Sequence, residues 1–303
     1  MPLAPKPSAP MTVLTTVYLA LAVWFVGMLV GSSLNTAWLA IAETTSPASD
    51  TTPADPDLPA PTTPSAFVAF AVGSQLAFVG GSAALVLLLG ARPRRAPIDV
   101  IADGLNLRAP ALKLWLWPLL VGANLFLWVA VSVLFSWVFP DPGEHLKDLG
   151  DSVAAVDTPL VAALTLVAVG VLPGVGEEFL FRGFILRRLR GVVPAALAIA
   201  IVSLLFAMSH VDPQQALLIL PLGLWWTIIA WRARSAWPAV AMHALNNSWT
   251  LLWAWGLMDA ANDAPAAAVN TILVLALLCF LGAVVALCGP GITKPEPAPP
   301  ETP

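Results

Sequence analysis

The stretch PLVAALTLVAVGVLPGVGEEFLFRGFILRRLR, residues 159–190, places two carboxylates and a guanidinium inside a long apolar run. A charged residue at the centre of a bilayer costs about 2.5–3.5 kcal/mol on insertion scales, so charges at that depth usually line a site or a water-filled cavity. The run exceeds the roughly 20 residues of one crossing, and the segment 173–176, Pro-Gly-Val-Gly, interrupts it directly before the charges. Because proline and glycine kink membrane helices and free backbone groups, we expect this span to open onto a cavity.

The composition of the whole chain indicates an integral membrane protein. Of its 303 residues 58% are hydrophobic and only 11% are charged, and the mean hydropathy is +0.83. A soluble domain carries about 25% charged residues. The sequence has no basic patch with interleaved aromatic residues, so nothing in it favours nucleic-acid binding.

Eight apolar stretches are long enough to cross the hydrocarbon core as helices, which takes roughly 20 residues each. The sequence therefore predicts an all-α integral membrane protein, a bundle of eight transmembrane helices with the lipid bilayer as its solvent. Three of the spans lie in 11–139, after a short N-terminal segment, 1–10. The segments 43–64 and 289–303 are rich in Pro and polar residues, which predicts an extracytoplasmic loop and a disordered tail. The predicted spans are 11–41, 65–90, 113–139, 157–186, 193–211, 214–231, 236–258 and 266–288.

The distribution of charge predicts the orientation of the bundle. If the N-terminus is cytoplasmic, 12 of the 14 Lys and Arg residues fall on the cytoplasmic side, as the positive-inside rule requires. Of the other two, Arg182 lies within a span and Lys147 falls outside. We therefore expect both termini in the cytoplasm of a multi-pass cell-membrane protein, and the Pro- and Ala-rich apolar chain favours a bacterial plasma membrane.

Two carboxylates in the fourth predicted span differ in their local partners. Glu178 and Arg182 are four residues apart on one helical face, so they can form a charge-assisted pair. Glu177 points about 100° away and has no partner on its own helix, which makes it a candidate general base. For this motif alone, the alternative is a charged inner-face motif that reaches the membrane surface together with Arg187 and Arg188.

Histidine and asparagine residues follow in later spans. His210 ends a span, where a histidine is often only interfacial, whereas His243 and Asn247 are four apart and share a helical face. Hydrogen bonding between helices is the alternative role for these side chains, and Asn246 could supply it instead. Together, a carboxylate, imidazoles and an amide are the groups that activate water against a carbonyl carbon and stabilise the resulting oxyanion.

Three ordered patterns carry a family resemblance: EExxxR at Glu177–Arg182, FxxxH at Phe206–His210 and HxxxN at His243–Asn247. They resemble the motifs of the CPBP intramembrane proteases, the group that includes the CAAX prenyl endopeptidases. The resemblance covers about 157–258, which would hold the catalytic helices of an eight-span bundle with a cavity open to the cytoplasm. It implies an intramembrane endopeptidase that cleaves a membrane-embedded or membrane-proximal peptide.

The resemblance also implies a role for each motif residue. Glu177 would activate the water as a general base, and His210 would help to position that water. His243 and Asn247 would form the oxyanion hole, with Glu178 and Arg182 in support.

The cofactor is left open between no metal and a single zinc ion. Glu177, His210 and His243 form a set compatible with catalytic zinc, which would leave Glu178 as the base. A glutamate mechanism without metal uses the same residues, and we slightly favour it because no HExxH pair is present on one helix.

Two other function classes compete with the protease. One is a non-catalytic membrane binding or immunity protein on the same scaffold, and the other is a proton-coupled transporter that uses Glu177 and histidines as a relay. Asn247 favours hydrolysis, because an oxyanion donor has no part in a proton relay.

The predicted depths of these residues in the membrane differ, which makes a shared site harder to form. At 1.5 Å per residue, His243 lies roughly 10 Å and Glu177 roughly 15–20 Å from the cytoplasmic ends. His210 lies deeper still, so it joins the site only if the helices tilt or kink.

Overall fold

A computed structural model describes residues 8–45, 64–90, 95–141, 143–156, 158–256 and 266–289. These residues form helices joined by turns and short irregular segments, with no β-strand among them. Most of the predicted loop 43–64, most of the N-terminal segment and nearly all of the predicted tail lie outside the described residues. The helices are α1 (Ala9–Thr45), α2 (Pro64–Gly90), α3 (Pro97–Gly104), α4 (Leu116–Val138), α5 (Glu144–Ala154), α6 (Pro159–Leu189), α7 (Ala195–Met208), α8 (Pro213–Ala233), α9 (Trp237–Ala254) and α10 (Ala266–Cys288).

Each of the eight predicted spans corresponds to one of these helices, but six meet the length and composition of a membrane crossing: α1, α2, α4, α6, α8 and α10. Helix α7 has 14 residues, so at 1.5 Å per residue it is about 21 Å long, short of a hydrocarbon core of about 30 Å. Helix α9 has 18 residues and includes a histidine and two asparagines, which lower its hydropathy. Length and composition therefore support six of the eight predicted crossings.

Helix α6 lies at the centre of the bundle. It packs against α2 on one side and against α9 on another, and its C-terminal part also contacts α7 and α8. Every residue from Phe179 to Leu186 is buried. Helices α1 and α10, by contrast, expose many large apolar side chains, as expected for surfaces that face lipid rather than water.

The predicted interruption of α6 does not end the helix but changes its winding. Two π-helical segments, Leu166–Val171 and Phe179–Ile185, flank the α-helical turns Leu172–Glu178. Such segments commonly occur at functional sites. Because Pro173 has no N–H, the carbonyl of Val169 lacks the donor that a regular helix would supply four residues later.

Two glycines of α6 allow neighbouring helices to approach closely. A Cβ on Gly174 would lie 2.9 Å from the Val240 carbonyl oxygen of α9, and one on Gly176 would lie 2.9 Å from the Gln75 carbonyl oxygen of α2. Any larger residue at either position would push a helix away. The glycines that the sequence associates with a kink therefore bring three helices together around the two glutamates.

Basic side chains gather where α6, α8 and α10 end. Arg190 Nη2 donates to the Trp231 carbonyl at 2.7 Å, and Arg232 Nη2 donates to the Gly289 carbonyl at 2.8 Å. Burial lowers the pKa of Arg190 to about 10, and the nearby positive charges of Arg234 and Arg187 act in the same direction. The C-terminal ends of these three helices thus share one side of the molecule.

Candidate active site

Glu178 is the centre of a buried charged cluster. Its Oε1 accepts a hydrogen bond from Arg182 Nη1 at 2.7 Å and faces His243 Nδ1 at 2.9 Å. Glu178 and Arg182 are completely buried, and His243 is 3% exposed. The structure thus contains the ion pair that the four-residue spacing predicts, and it adds an imidazole from α9.

Arg182 is satisfied by contacts with α8 as well as with Glu178. Its Nε donates to Thr227 Oγ1 at 3.1 Å and its Nη2 donates to the Gly223 carbonyl at 2.8 Å. The guanidinium also lies over the ring of Phe206, 4.2 Å from its centroid. A buried ion pair is tolerated only when its remaining hydrogen-bonding groups are satisfied, and these contacts meet that requirement for the cation.

His243 is held in place by aromatic rings and by an amide behind them. Its ring stacks on Trp226 with centroids 4.3 Å apart, and the edge of Phe206 approaches it at 5.7 Å. Trp226 Nε1 donates to Asn124 Oδ1 at 2.8 Å, and Asn124 Nδ2 donates to the Met242 carbonyl at 3.3 Å. Asn124, a residue of α4, thereby fixes the indole that orients the imidazole.

Glu177 has a partner that its own helix does not provide. Gln75 Nε2 of α2 donates to Glu177 Oε1 at 3.0 Å. Within the described part of the chain, no donor reaches Glu177 Oε2 or Glu178 Oε2, although both atoms are buried. Glu177 also lies close enough to Arg182 and to His210 for its charge to interact with both of them.

His210 lies in the turn between α7 and α8 rather than in a long span. Its Nδ1 is 3.0 Å from the Phe206 carbonyl oxygen, and its ring meets the edge of Phe206 at 5.3 Å. Because Phe206 also contacts His243, this one ring packs between the two histidines. Helix α7 ends at Met208, so the chain turns at His210 instead of continuing outward, and the contact with Phe206 places His210 one side chain away from His243.

The turn that carries His210 is strained. Val211 has a φ of 64°, in the left-handed region that β-branched residues rarely adopt. The Asp212 side chain then accepts from the Gln215 N–H at 2.7 Å and caps the start of α8. Strain of this kind often occurs at functional sites, where the surrounding structure maintains it.

The two neighbouring asparagines of α9 face different helices. Asn247 Nδ2 donates at 3.3 Å to the carbonyl of Val169, the group that Pro173 leaves without its usual donor. Asn246 is buried on the side of α4, beside a cavity of about 70 Å³ that Asn124 and Trp249 also line. The structure therefore places Asn247, not Asn246, against α6.

Four polar or aromatic side chains of this arrangement were not predicted from the sequence. Gln75 and Asn124 had a usable signal, because an amide within an apolar span is expensive and tends to face the bundle interior. Trp226 and Thr227 had none, since tryptophan and threonine are ordinary residues in a membrane helix.

The residues considered for zinc do not fit a metal site. Across the described ranges, no group of three or more His, Cys, Asp or Glu side chains is arranged to hold a metal ion. Glu178 Oε1 is engaged by Arg182 and His243, and Glu177 Oε1 accepts from Gln75. The set Glu177, His210 and His243 is therefore not assembled as a ligand sphere among the described residues.

Fold and site together define an all-helical membrane protein with a buried Glu–Arg–His cluster next to a second glutamate. Residues 159–249 match the family model described as type II CAAX prenyl endopeptidase Rce1-like. The match confirms the family resemblance inferred from the three motifs, all of which lie inside it. It covers less than a third of the chain and leaves out Gln75 and Asn124. No curated protein and no solved structure matches the chain.

Proposed function

We propose that this protein is an intramembrane endopeptidase that hydrolyses a peptide bond of a membrane-embedded or membrane-proximal substrate. The observation that supports it best is the cluster itself: Glu178, Arg182 and His243 meet in a buried site beside Glu177, whose Oε2 is buried without a donor among the described residues. The similarity of 159–249 to a family of CAAX-type endopeptidases points to the same chemistry.

Glu177 acts as the base in this proposal. Its carboxylate takes a proton from a water molecule that His210 helps to position, and the resulting hydroxide attacks the carbonyl carbon of the scissile peptide bond. The carbonyl oxygen becomes an oxyanion, the C–N bond then breaks, and the proton held by Glu177 passes to the leaving nitrogen. Positioned proton transfer of this kind contributes about 10²–10⁴-fold to the rate.

His243 and Asn247 stabilise the oxyanion. A carboxylate can only accept, so the Glu178 contact requires the proton on His243 Nδ1, and Nε2 donates only when the ring is an imidazolium. In that state two carboxylates balance Arg182 and the imidazolium, which keeps the buried cluster neutral overall. Asn247 has two N–H donors on its amide, so the one that bonds Val169 fixes the group while the other faces the substrate.

The substrate reaches the site from the lipid. An apolar groove of about 210 Å³ lies between α1, α6 and α7, and its lining includes Phe181, Met208 and Ser209. Ser209 is the neighbour of His210, and Trp24 Nε1 donates to its carbonyl at 3.1 Å. A groove without charged lining residues suits an apolar segment of a membrane protein better than a soluble peptide.

We further propose that α7 and α9 complete eight crossings, with both termini in the cytoplasm of a bacterial plasma membrane. Helices α6 and α8 have basic C-terminal ends that share one side of the molecule with the end of α10. This supports the topology, because the cytoplasmic side is enriched in Lys and Arg. A fusion at the C-terminus to a reporter that is active only in the cytoplasm tests it. An inactive reporter on a stably inserted protein would contradict the orientation.

The function is tested with Glu177→Gln, which removes the base without changing the size of the side chain. Wild-type and variant protein are reconstituted in vesicles with a pool of membrane-anchored peptides, and new peptide ends are identified by mass spectrometry. We expect cleavage by the wild type and a loss on the order of 10²–10⁴-fold in the variant, with an unchanged melting temperature.

The same vesicles separate the competing functions. Equal cleavage by wild type and Glu177→Gln would exclude the proposed mechanism. A proton flux that depends on Glu177, followed with a pH-sensitive dye in the absence of peptide cleavage, would indicate a transporter. Retention of a bound peptide by both proteins without any new peptide ends would indicate a binding protein.

A further inference from the structure

Gln75 provides the contact between the N-terminal helices and Glu177. Its side chain is 6% exposed, and its Nε2 donates to Glu177 Oε1 at 3.0 Å. It lies on α2, outside the stretch that matches the protease family. A neutral amide inside a membrane helix is costly. This amide contacts the carboxylate that we propose as the base.

Gln75 and Glu177 each keep one buried acceptor atom. In the described parts of the chain, neither Gln75 Oε1 nor Glu177 Oε2 receives a hydrogen bond. The two atoms belong to the two planar groups that the 3.0 Å hydrogen bond joins. A buried acceptor without a donor is unfavourable, and a water molecule has two O–H groups to donate.

Gly176 makes room for this arrangement. A Cβ at that position would overlap Gln75 Oε1, so a side chain there would displace the carboxamide. Gly176, the residue directly before Glu177, therefore leaves the space that Gln75 Oε1 occupies. The close packing of α2 on α6 and the position of Gln75 Oε1 thus depend on the same glycine.

We propose that Gln75 positions the nucleophilic water together with Glu177. The water donates one O–H to Glu177 Oε2 and the other to Gln75 Oε1, which leaves an oxygen lone pair directed at the carbonyl carbon. The proton shared with Glu177 is the one that transfers, whereas the O–H held by Gln75 stays on the oxygen and enters the new carboxyl group. This inference rests on the proposed endopeptidase function.

The test is Gln75→Met, which keeps the length of the side chain but removes both its donor and its acceptor. We expect kcat to fall about 10²-fold with KM unchanged, because the lost contacts are to water and base rather than to the peptide. Ser82→Ala is the matched control: Ser82 is fully buried on the same helix and its Oγ has no partner among the described residues. It should leave kcat and KM at wild-type values.

A double variant separates positioning from a purely structural role. If Gln75 and Glu177 act on the same water, Gln75→Met combined with Glu177→Gln is no slower than Glu177→Gln alone. A further loss in the double variant would show that Gln75 acts elsewhere and would overturn the inference. If Gln75→Met does not fold, Gln75→Asn is used, since its shorter side chain cannot reach both partners and the same pattern is expected.

The outcomes distinguish the two levels of the proposal. A wild type that does not cleave contradicts the proposed function and this inference with it. Cleavage that Glu177→Gln abolishes but Gln75→Met leaves at the wild-type rate contradicts only the role of Gln75.

Discussion

Helices α6–α9, here called the motif half, and helices α1–α4, the N-terminal half, contribute different chemistry to one buried site. The motif half supplies the charged and titratable groups, namely Glu177, Glu178, Arg182 and the two histidines. The N-terminal half supplies neutral amides: Gln75 bonds to Glu177, and Asn124 bonds to the indole that stacks on His243. The charged and titratable groups therefore lie in the part that resembles a family, and two neutral amides that support them come from outside it.

The difference follows from the cost of burying each kind of group. A charge in the membrane interior needs a counter-charge and several hydrogen bonds, so the charged residues group together on adjacent turns and adjacent helices. An amide needs only one or two partners. It can therefore be contributed singly from a distant helix.

Arg182→Met produces the largest expected effect, because it removes the cation from the motif half. Among the described residues it leaves the fully buried Glu178 with His243 as its remaining partner, and breaking a buried pair in this way costs about 3–5 kcal/mol of unfolding free energy. Denaturant titration in detergent measures it. The double variant Glu178→Gln with Arg182→Met should recover part of the loss, and an unchanged stability of Arg182→Met would show that the pair does not hold the motif half together.

Gly176→Ala tests the contact between the two halves. The added methyl group would lie 2.9 Å from the backbone oxygen of Gln75, and overpacking of this kind costs about 1–3 kcal/mol. Gly80→Ala on α2 is the control because, apart from the backbone of its own helix, no atom of the described residues lies within 4 Å of its Cβ position. It should be neutral or stabilising by up to about 1 kcal/mol. Equal effects in the two variants would contradict close packing at Gly176.

Asn124→Leu measures what the N-terminal half contributes to the position of His243. Trp226 Nε1 loses its acceptor, and a buried unpaired donor costs about 1–3 kcal/mol. Asn246→Leu is the comparison, because Asn246 is also buried but no donor from the described residues reaches its Oδ1. Thermal unfolding in detergent is measured for both variants, and Asn246→Leu should be less destabilising than Asn124→Leu. A larger loss of stability for Asn246→Leu than for Asn124→Leu would show that Asn124 does not support the site.

Val211→Gly gives the smallest expected change. Relief of a left-handed backbone conformation is worth about 1–2 kcal/mol, and the greater freedom of glycine in the unfolded chain offsets about 0.5–1 kcal/mol of it. We expect a small net stabilisation with reduced cleavage, because the turn then holds His210 less firmly. A destabilised variant would show that the packing of this side chain outweighs its strain.

The sequence predicted the helical membrane architecture, the positions of the six helices that are long and apolar enough to cross a membrane, and the family resemblance. It also predicted the Glu178–Arg182 pair, because a separation of four residues on a helix already defines a contact. It overestimated the length of α7, since the first residues that mark a helix end in the sequence are Asp212 and Pro213, whereas the helix ends at Met208. It also could not assign Asn246 and Asn247 to different neighbours, because that depends on which helices pack on either side of α9.

By itself, the sequence determined the features that depend on local spacing and on the cost of charge in lipid. These are the helices, the apolar spans and the Glu178–Arg182 ion pair. Only the tertiary structure decided that Gln75 meets Glu177 across 102 residues of chain. It also decided that Asn124 accepts from Trp226 and that Asn247 donates to the Val169 carbonyl, to which Pro173 has no N–H to offer. These contacts arise where the surfaces of separate helices meet. Their geometry is set by the close approach at glycines and by π-helical turns, which no pattern within a single helix specifies.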